Sequence, residues 1–88
     1  MKISSIEITN QAGLHARAAS KLAEMASTYS ATVKIGHDKM VDGKSILALM
    51  MLAATQGTRL NIEINGVDEA KAMASITKLI SSGFGEEK

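Results

Sequence analysis

The chain has 88 residues, and ten Lys and Arg residues against nine Asp and Glu residues leave a formal net charge of +1. That charge gives no general electrostatic reason to bind nucleic acid or an anionic membrane, and two aromatic residues are too few to stack bases. The absence of cysteine excludes disulfides, thiolate catalysis and Cys-ligated metals. With 45% hydrophobic residues, we expect a single globular domain over residues 1–88.

Hydrophobic periodicity predicts the elements in the first half of the chain. Alternating isoleucines favour a strand within residues 2–9, and the polar residues 10–13 form a turn. Apolar residues at helical spacing predict a helix from residue 16 to residue 27. Residues 31–36 alternate again, and a turn then leads into a short strand at residues 40–42.

The second half of the chain predicts two helices with one strand between them. A compact apolar segment at residues 46–53 indicates a short helix, and the alternation of residues 59–64 indicates a strand. Asp68 is predicted to cap a last helix, whose apolar positions run from Met73 to Ile80 and which ends near Gly83.

The order β-α-β-β-α-β-α indicates an α+β fold. Short strands with one apolar face imply a mostly antiparallel sheet with helices packed on one side. The pattern leaves the strand order open, because a ferredoxin-like fold with an added helix has the same order of elements. An RNA-binding or metal-carrying domain of that fold would need aromatic strand residues or a cysteine pair, which the chain lacks.

The segment GLHARAA places His15 directly before the first predicted helix. Neutral imidazole is a good nucleophile, and the positive end of a helix dipole favours that neutral form. A phosphoryl group on His15 would face the N–H groups of Ala16 and Arg17, and the Arg17 side chain would add a charge-assisted hydrogen bond. His15 is therefore a candidate phosphoryl acceptor, and an ordinary surface histidine beside an unrelated arginine is the alternative.

No metal, cofactor or nucleotide site is predicted, and we expect no cofactor. His15 and His37 lack the spacing and the carboxylate cluster of a shared metal site, and Asp38 stands where a P-loop ending in DGKS needs glycine. The N-terminus lacks the apolar core of a signal peptide, and the longest apolar run, residues 46–54, is far shorter than the ~20 residues of a membrane span. We therefore expect a cytoplasmic protein that does not insert into membranes, and as a separate expectation the chain is a monomer.

Ser45 precedes the second predicted helix and is first of all a candidate N-cap. The same position tolerates a phosphate, because the exposed amides of a helix start favour negative charge. The helix itself is apolar nearly all round, from Ile46 to Leu52. An exposed part of it would be a docking surface with adaptable methionines, and deeper burial of the whole helix is the alternative.

Three segments, GLHARAA, VDGKSILALMMLAATQGTRL and GVDEAKAMASITKLISSGFGE, together resemble the histidine-containing phosphocarrier (HPr) family of the phosphoenolpyruvate-dependent phosphotransferase system. The resemblance extends over essentially the whole chain. It implies an open-faced β-sandwich, in which three helices cover one face of a four-stranded antiparallel sheet. The ending SSGFGE resembles a nitrogen-related branch and GKSI resembles branches under serine-kinase control, so both branches stay open.

The resemblance also assigns roles to individual residues. It implies that His15 accepts the phosphoryl group on Nδ1 and that Arg17 assists it. Ser45 matches a serine that an ATP-dependent HPr kinase/phosphorylase modifies in part of the family. The matching docking residues are Ile46, Leu47 and Met50. Ala18 stands where the family usually has proline, and because alanine is a strong helix former we expect function to be kept.

The function that the resemblance implies is a stoichiometric phosphoryl carrier, not an enzyme. Such a carrier would accept the group from phosphorylated Enzyme I and pass it to an EIIA-type acceptor. The alternative is a regulatory binding module, in which phosphorylation of Ser45 selects the partner and histidine chemistry is secondary.

Overall fold

Within residues 1–86, which the computed structural model describes, four strands and three helices follow one another in the predicted order. They are β1 (Lys2–Glu7), α1 (Ala16–Ser27), β2 (Thr32–Gly36), β3 (Met40–Asp42), α2 (Ile46–Met51), β4 (Arg59–Asn65) and α3 (Glu69–Ser81), and a 3-10 turn (Gly83–Gly85) follows. The predicted bounds of α1 and β3 are confirmed, whereas β1, β2 and α2 are slightly shorter than predicted. α2 ends early because Ala53 has a φ of 53°, which an α-helix does not accommodate.

The four strands form one antiparallel sheet in the order β1-β4-β2-β3. Ile62 in the central strand β4 lies opposite Ile35 in β2, and Leu60 lies opposite Ile6 in β1. A ferredoxin-like fold would have its first and third strands in the centre. The observed order therefore excludes that alternative.

One face of the sheet is covered and the other is open. In β4, Leu60, Ile62 and Ile64 are fully buried, whereas Arg59 and Asn61 at the alternate positions are exposed. α3 packs against β1 and β4, and α1 packs against α2 and α3. Each fully buried Leu or Ile side chain contributes about 1.5–3 kcal/mol to folding. The α+β fold with helices on one face of the sheet is thus confirmed.

Asp68 stands at the N-cap position of α3, as predicted, but its side chain does not cap the helix. Its carboxylate oxygens accept hydrogen bonds from the N–H groups of Ser30 and Ala31, both at 2.9 Å. These bonds attach the turn between α1 and β2 to the start of α3. The Ser30 N–H lowers the pKa of the Asp68 carboxyl below its ordinary range, burial opposes this only in part, and the Ala31 N–H adds to it.

Asp68→Asn should destabilise the fold at neutral pH but not in acid. A carboxyl whose pKa is lower in the folded chain stabilises that chain above the ordinary pKa of about 4, and this contribution is lost as pH falls through the folded-state pKa. We expect a lower midpoint of urea unfolding for the variant at neutral pH, with the gap to wild type closing in acid. Asp38→Asn removes an exposed carboxylate and is the control. Equal midpoints for Asp68→Asn and wild type at neutral pH would contradict the prediction.

Candidate functional site

The turn before α1 is held against the segment that follows α2. Gly13 has a φ of +69°, and a Cβ at this position would lie 2.5 Å from the carbonyl oxygen of Ala54. The next residue, Leu14, is buried, and its N–H donates to the same oxygen at 2.9 Å. Only glycine combines this dihedral angle with so close an approach. The contact therefore determines where the chain enters α1.

His15 occupies the N-cap position of α1 with an extended backbone, φ −82° and ψ −177°. Its carbonyl oxygen accepts the first helical hydrogen bond, from the Ala19 N–H at 2.8 Å. The N–H groups of Ala16, Arg17 and Ala18 have no acceptor within residues 1–86. Such a helix start favours an anion, because these N–H groups and the helix dipole face it. The predicted position of His15 directly before α1 is confirmed.

The chain after α3 turns back towards α1 through three residues of positive φ. Gly83 and Gly85 have φ values of 69° and 72°, and Phe84 between them has a φ of 59°. The Phe84 side chain is fully buried, and its carbonyl oxygen accepts a 2.8 Å hydrogen bond from Lys21 Nζ on α1. Burial of the ring offsets the backbone strain, which is of order 1–3 kcal/mol for a residue other than glycine. The turn places Glu86 beside the start of α1.

Glu86 connects His15 to a buried asparagine. One carboxylate oxygen, Oε2, forms a hydrogen bond with Nε2 of His15, and the other, Oε1, accepts from Nδ2 of Asn10 at 3.0 Å. Nδ2 of Asn10 also donates to the carbonyl oxygen of Gly13 at 2.8 Å. Burial disfavours the charged form of Glu86, but the hydrogen bonds from Asn10 and His15 outweigh it and hold the pKa of this carboxyl below its ordinary range. Glu86 is therefore a carboxylate at neutral pH.

The two ring nitrogens of His15 have different surroundings. In the neutral ring, the Nε2 that faces the Glu86 carboxylate carries the proton, so the lone pair lies on Nδ1. Nδ1 makes no hydrogen bond within residues 1–86. The His15 side chain is 34% exposed, which leaves the ring accessible to a second protein. Nδ1 is therefore the nitrogen with a nucleophilic lone pair.

Arg17 lies on the first turn of α1 with its side chain exposed. It forms no hydrogen bond or ion pair with the part of the chain that the structure describes, so its guanidinium is available to an anion at the helix start. The structure thus brings His15 and Arg17 to the same end of α1. A contact between Arg17 and a phosphoryl group stays a prediction.

Ser45 caps α2, and its Oγ accepts a hydrogen bond from the Ala48 N–H at 3.2 Å. Leu49 is the fully buried residue of α2. The interpretation that α2 is partly exposed is therefore confirmed, and the alternative that the whole helix is buried is wrong. The exposed side chains, which we call the α2 patch, are Ile46 (43%), Leu47 (69%), Met50 (40%) and Met51 (76%). Met51 was not among the predicted docking residues, although it follows Leu47 by one helical turn, a spacing that indicates a shared face.

His37 does not belong to the network around His15. It lies on the turn between β2 and β3, where its Nε2 forms a 3.2 Å hydrogen bond with the carbonyl oxygen of Leu52. The DGKS segment is an ordinary turn, in which Asp42 Oδ1 accepts from the Lys44 N–H at 3.0 Å. Among residues 1–86 there is no group of three or more side chains suited to hold a metal ion, and no helix long and apolar enough to cross a membrane.

The contacts of Asn10 and Glu86 with the His15 turn were not predicted from the sequence. The glycines on either side of Phe84 signal a reversal of chain direction, which is the one local indication that the segment returns to the fold. No local pattern indicates that a carboxylate 71 residues after His15 meets its ring. Only the packing of the C-terminal turn against α1 brings them together.

Comparison with known proteins assigns the chain to a family. The family model described as PTS HPr component phosphorylation site matches residues 3–82. The chain belongs to this HPr family. It is 51% identical over 83 residues to the phosphocarrier protein HPr of Neisseria meningitidis serogroup A, with 93% of each chain covered. It is 38% identical over 85 residues to the phosphocarrier protein NPr of Klebsiella oxytoca, with 94% of each covered.

A solved structure supports the same assignment. The crystal structure of HPr-C-His from Thermoanaerobacter tengcongensis matches with a TM-score of 0.95 and 40% identity, and the match covers 100% of both chains. The open-faced sandwich implied by the resemblance is therefore confirmed. The chain is a phosphocarrier of the phosphotransferase system, a stoichiometric carrier rather than an enzyme. A regulatory module as its main role is not favoured, because these relatives are phosphocarriers.

Proposed function

We propose that the chain accepts a phosphoryl group on Nδ1 of His15 from phosphorylated Enzyme I and passes it to an EIIA-type acceptor. The observation that carries the proposal is the unequal setting of the ring nitrogens, since Nε2 is bonded to Glu86 and Nδ1 has no partner within residues 1–86. Family membership supports the class of donor and acceptor. We further propose that the carrier acts as a monomeric single domain in the cytoplasm, without a cofactor.

Each transfer exchanges one bond to phosphorus for another. The Nδ1 lone pair of His15 forms a bond to phosphorus while the bond between phosphorus and the donor breaks, and that electron pair stays with the donor. In the second transfer an acceptor atom attacks the same phosphorus, and the electron pair of the nitrogen–phosphorus bond returns to Nδ1. No proton has to leave the ring in either step, because Nδ1 carries none.

The start of α1 is the proposed receptor of the phosphoryl group. The phosphoryl oxygens would face the N–H groups of Ala16 and Arg17, and the Arg17 guanidinium would reach them from the first turn. One arginine and a helix start leave the group exposed. This suits a carrier, since tight binding in a deep cluster of arginines would oppose release.

The α2 patch is the proposed docking surface for both partners. It lies on the helix that packs against α1, and the hydrogen bond between Leu14 and Ala54 joins the segment after α2 to the His15 turn. Methionine side chains are flexible, so one surface suits partners of different shape. The resemblance assigns docking to Ile46, Leu47 and Met50, and we add Met51 because of its exposure.

His15→Ala should abolish phosphoryl acceptance and leave the fold intact, because the side chain is partly exposed and does not cap α1. The measurement is intact mass after incubation with phosphoenolpyruvate and Enzyme I, followed by mild acid. We expect wild type and the control His37→Ala to gain one acid-labile phosphoryl group, and His15→Ala to gain none. Normal labelling of His15→Ala would refute the proposal.

Arg17→Ala should slow acceptance about ten- to a hundredfold, since loss of one charge-assisted hydrogen bond costs roughly 1.5–3 kcal/mol. Rapid-quench measurement of transfer from phosphorylated Enzyme I gives the rate constant. The matched control is Arg59→Ala, because Arg59 is exposed on the open face of the sheet. An unchanged rate for Arg17→Ala would exclude Arg17 from the site.

We also propose that Ser45 is a regulatory site for an HPr kinase/phosphorylase, secondary to the carrier role. Its Oγ lies at the start of α2, directly beside two exposed residues of the α2 patch, Ile46 and Leu47. A phosphate there would add a charge of about −1.5 to −2 at the edge of an apolar docking surface. The charge would have to be desolvated when a partner docks, which weakens the complex.

Ser45→Asp should therefore raise the KM of Enzyme I for the carrier roughly tenfold with little change in kcat, because the added charge opposes docking rather than chemistry. Steady-state phosphoryl transfer measures both constants. Ser5→Asp places the same charge at an exposed position of β1 and is the matched control. If both variants have the wild-type KM, Ser45 does not regulate docking.

A further inference from the structure

Glu86 and Asn10 take no part in the bond exchange described above, yet both belong to the network that holds His15. We propose that Glu86 is a positioning residue: by accepting the Nε2 proton of His15, it keeps the ring in the tautomer whose lone pair lies on Nδ1. This inference rests on the proposed function. On this proposal, Glu86, which lies 71 residues after His15, determines which ring nitrogen is the nucleophile.

The Glu86 carboxylate is oriented by a residue that is itself held in place. Asn10 is only 7% exposed, and its Nδ2 donates to Glu86 Oε1 at 3.0 Å and to the Gly13 carbonyl at 2.8 Å. Rotation of this amide would break two hydrogen bonds in a buried position, which is costly. Because Asn10 holds Oε1, Oε2 is directed at His15.

The turn Gly83–Gly85 brings Glu86 to a defined position. Phe84 keeps its ring in the core although its φ of 59° is unfavourable for a residue other than glycine, and Lys21 Nζ bonds its carbonyl oxygen. Strain of this kind persists only where the surrounding structure determines the conformation, and it clusters at functional sites. The backbone that leads to Glu86 is thus held by two contacts of Phe84, the burial of its ring and the hydrogen bond from Lys21 to its carbonyl oxygen.

The contact with Glu86 disfavours the other neutral tautomer. A lone pair on Nε2 would face the lone pairs of a carboxylate, which repel it. With the proton on Nε2, the neutral ring donates to Glu86 and keeps its lone pair on Nδ1. Lys21, bonded to Phe84, partly balances the charge of Glu86.

Glu86 also acts on the phosphorylated ring. When Nδ1 forms its bond to phosphorus, the ring keeps the proton on Nε2 and becomes cationic. The hydrogen bond to Glu86 then joins a positive donor to a negative acceptor, and such bonds are roughly twice as strong as neutral ones. Glu86 therefore stabilises the phosphorylated ring more than the free neutral ring.

Glu86→Gln tests this assignment, since the amide nearly preserves the shape of the carboxylate and replaces one acceptor by a donor. Asn10 presents a donor, so the new amide oxygen turns to Asn10 and the new NH₂ group faces Nε2 of His15. The neutral ring then carries its proton on Nδ1. We expect proton–nitrogen correlation spectra of the imidazole at alkaline pH to show this switch, and acceptance from phosphorylated Enzyme I to slow about ten- to a hundredfold.

Two further variants complete the experiment. Glu86→Asp keeps a carboxylate on a shorter side chain and should retain the wild-type tautomer. Glu7→Gln removes an exposed carboxylate from β1 and should change neither the spectrum nor the rate. Urea unfolding of all variants separates a loss of stability from a change of tautomer.

The outcomes separate this inference from the proposed function. If Glu86→Gln leaves the tautomer or the rate as in wild type, the inference is overturned, while labelling of wild-type His15 still supports the carrier role. If the tautomer switches in Glu86→Gln but the wild-type chain accepts no phosphoryl group, the positioning role of Glu86 is supported and the proposed function is refuted. A lower unfolding midpoint without a switch of tautomer makes Glu86 merely structural and also overturns the inference.

Discussion

The carbonyl oxygen of Ala54 holds the turn that precedes α1 in its position. It accepts the Leu14 N–H at 2.9 Å, and it lies so close to Gly13 that a Cβ there would approach it to 2.5 Å. Any side chain at Gly13 would push the turn away from this oxygen and displace the residues that follow. His15 keeps its place at the helix start because two segments that are distant in sequence share one backbone contact.

The same turn is joined to the end of the described chain. Asn10 donates to Gly13 and to Glu86, so the turn before α1, the segment after α2 and the segment after α3 converge on one histidine. None of these three segments is an α-helix or a strand. The sheet and helices hold them at their ends, in keeping with the general placement of functional residues on loops that a rigid scaffold positions. Phe84 contributes directly, since its buried ring anchors the last of them.

The elements were predictable from the sequence where their cause is local. The alternation of β4 and the apolar spacing of α1 depend on residues within each element, so their bounds agree closely with the structure. Strand order depends on which strands pair, and a ferredoxin-like order has the same local pattern. The position of His15 before α1 was predictable because it depends on the local pattern of a helix start, whereas its role as phosphoryl acceptor stays a prediction. The contacts of Asp68 and Glu86 were not predictable, because the groups that donate to their carboxylates come from distant segments. In Asp68, two such backbone N–H groups bind the oxygens that would otherwise cap α3.

A phosphoryl carrier has to hold its group and also give it up, and the site divides these tasks between the two sides of one ring. On the Nδ1 side, the proposed receptor is the N–H groups at the start of α1 together with the exposed Arg17, which would attract phosphoryl oxygens without enclosing them. On the Nε2 side, Glu86 balances the charge of the ring without touching phosphorus. The stability of the nitrogen–phosphorus bond is therefore adjusted through the ring, so the phosphorus itself stays open to attack by either partner.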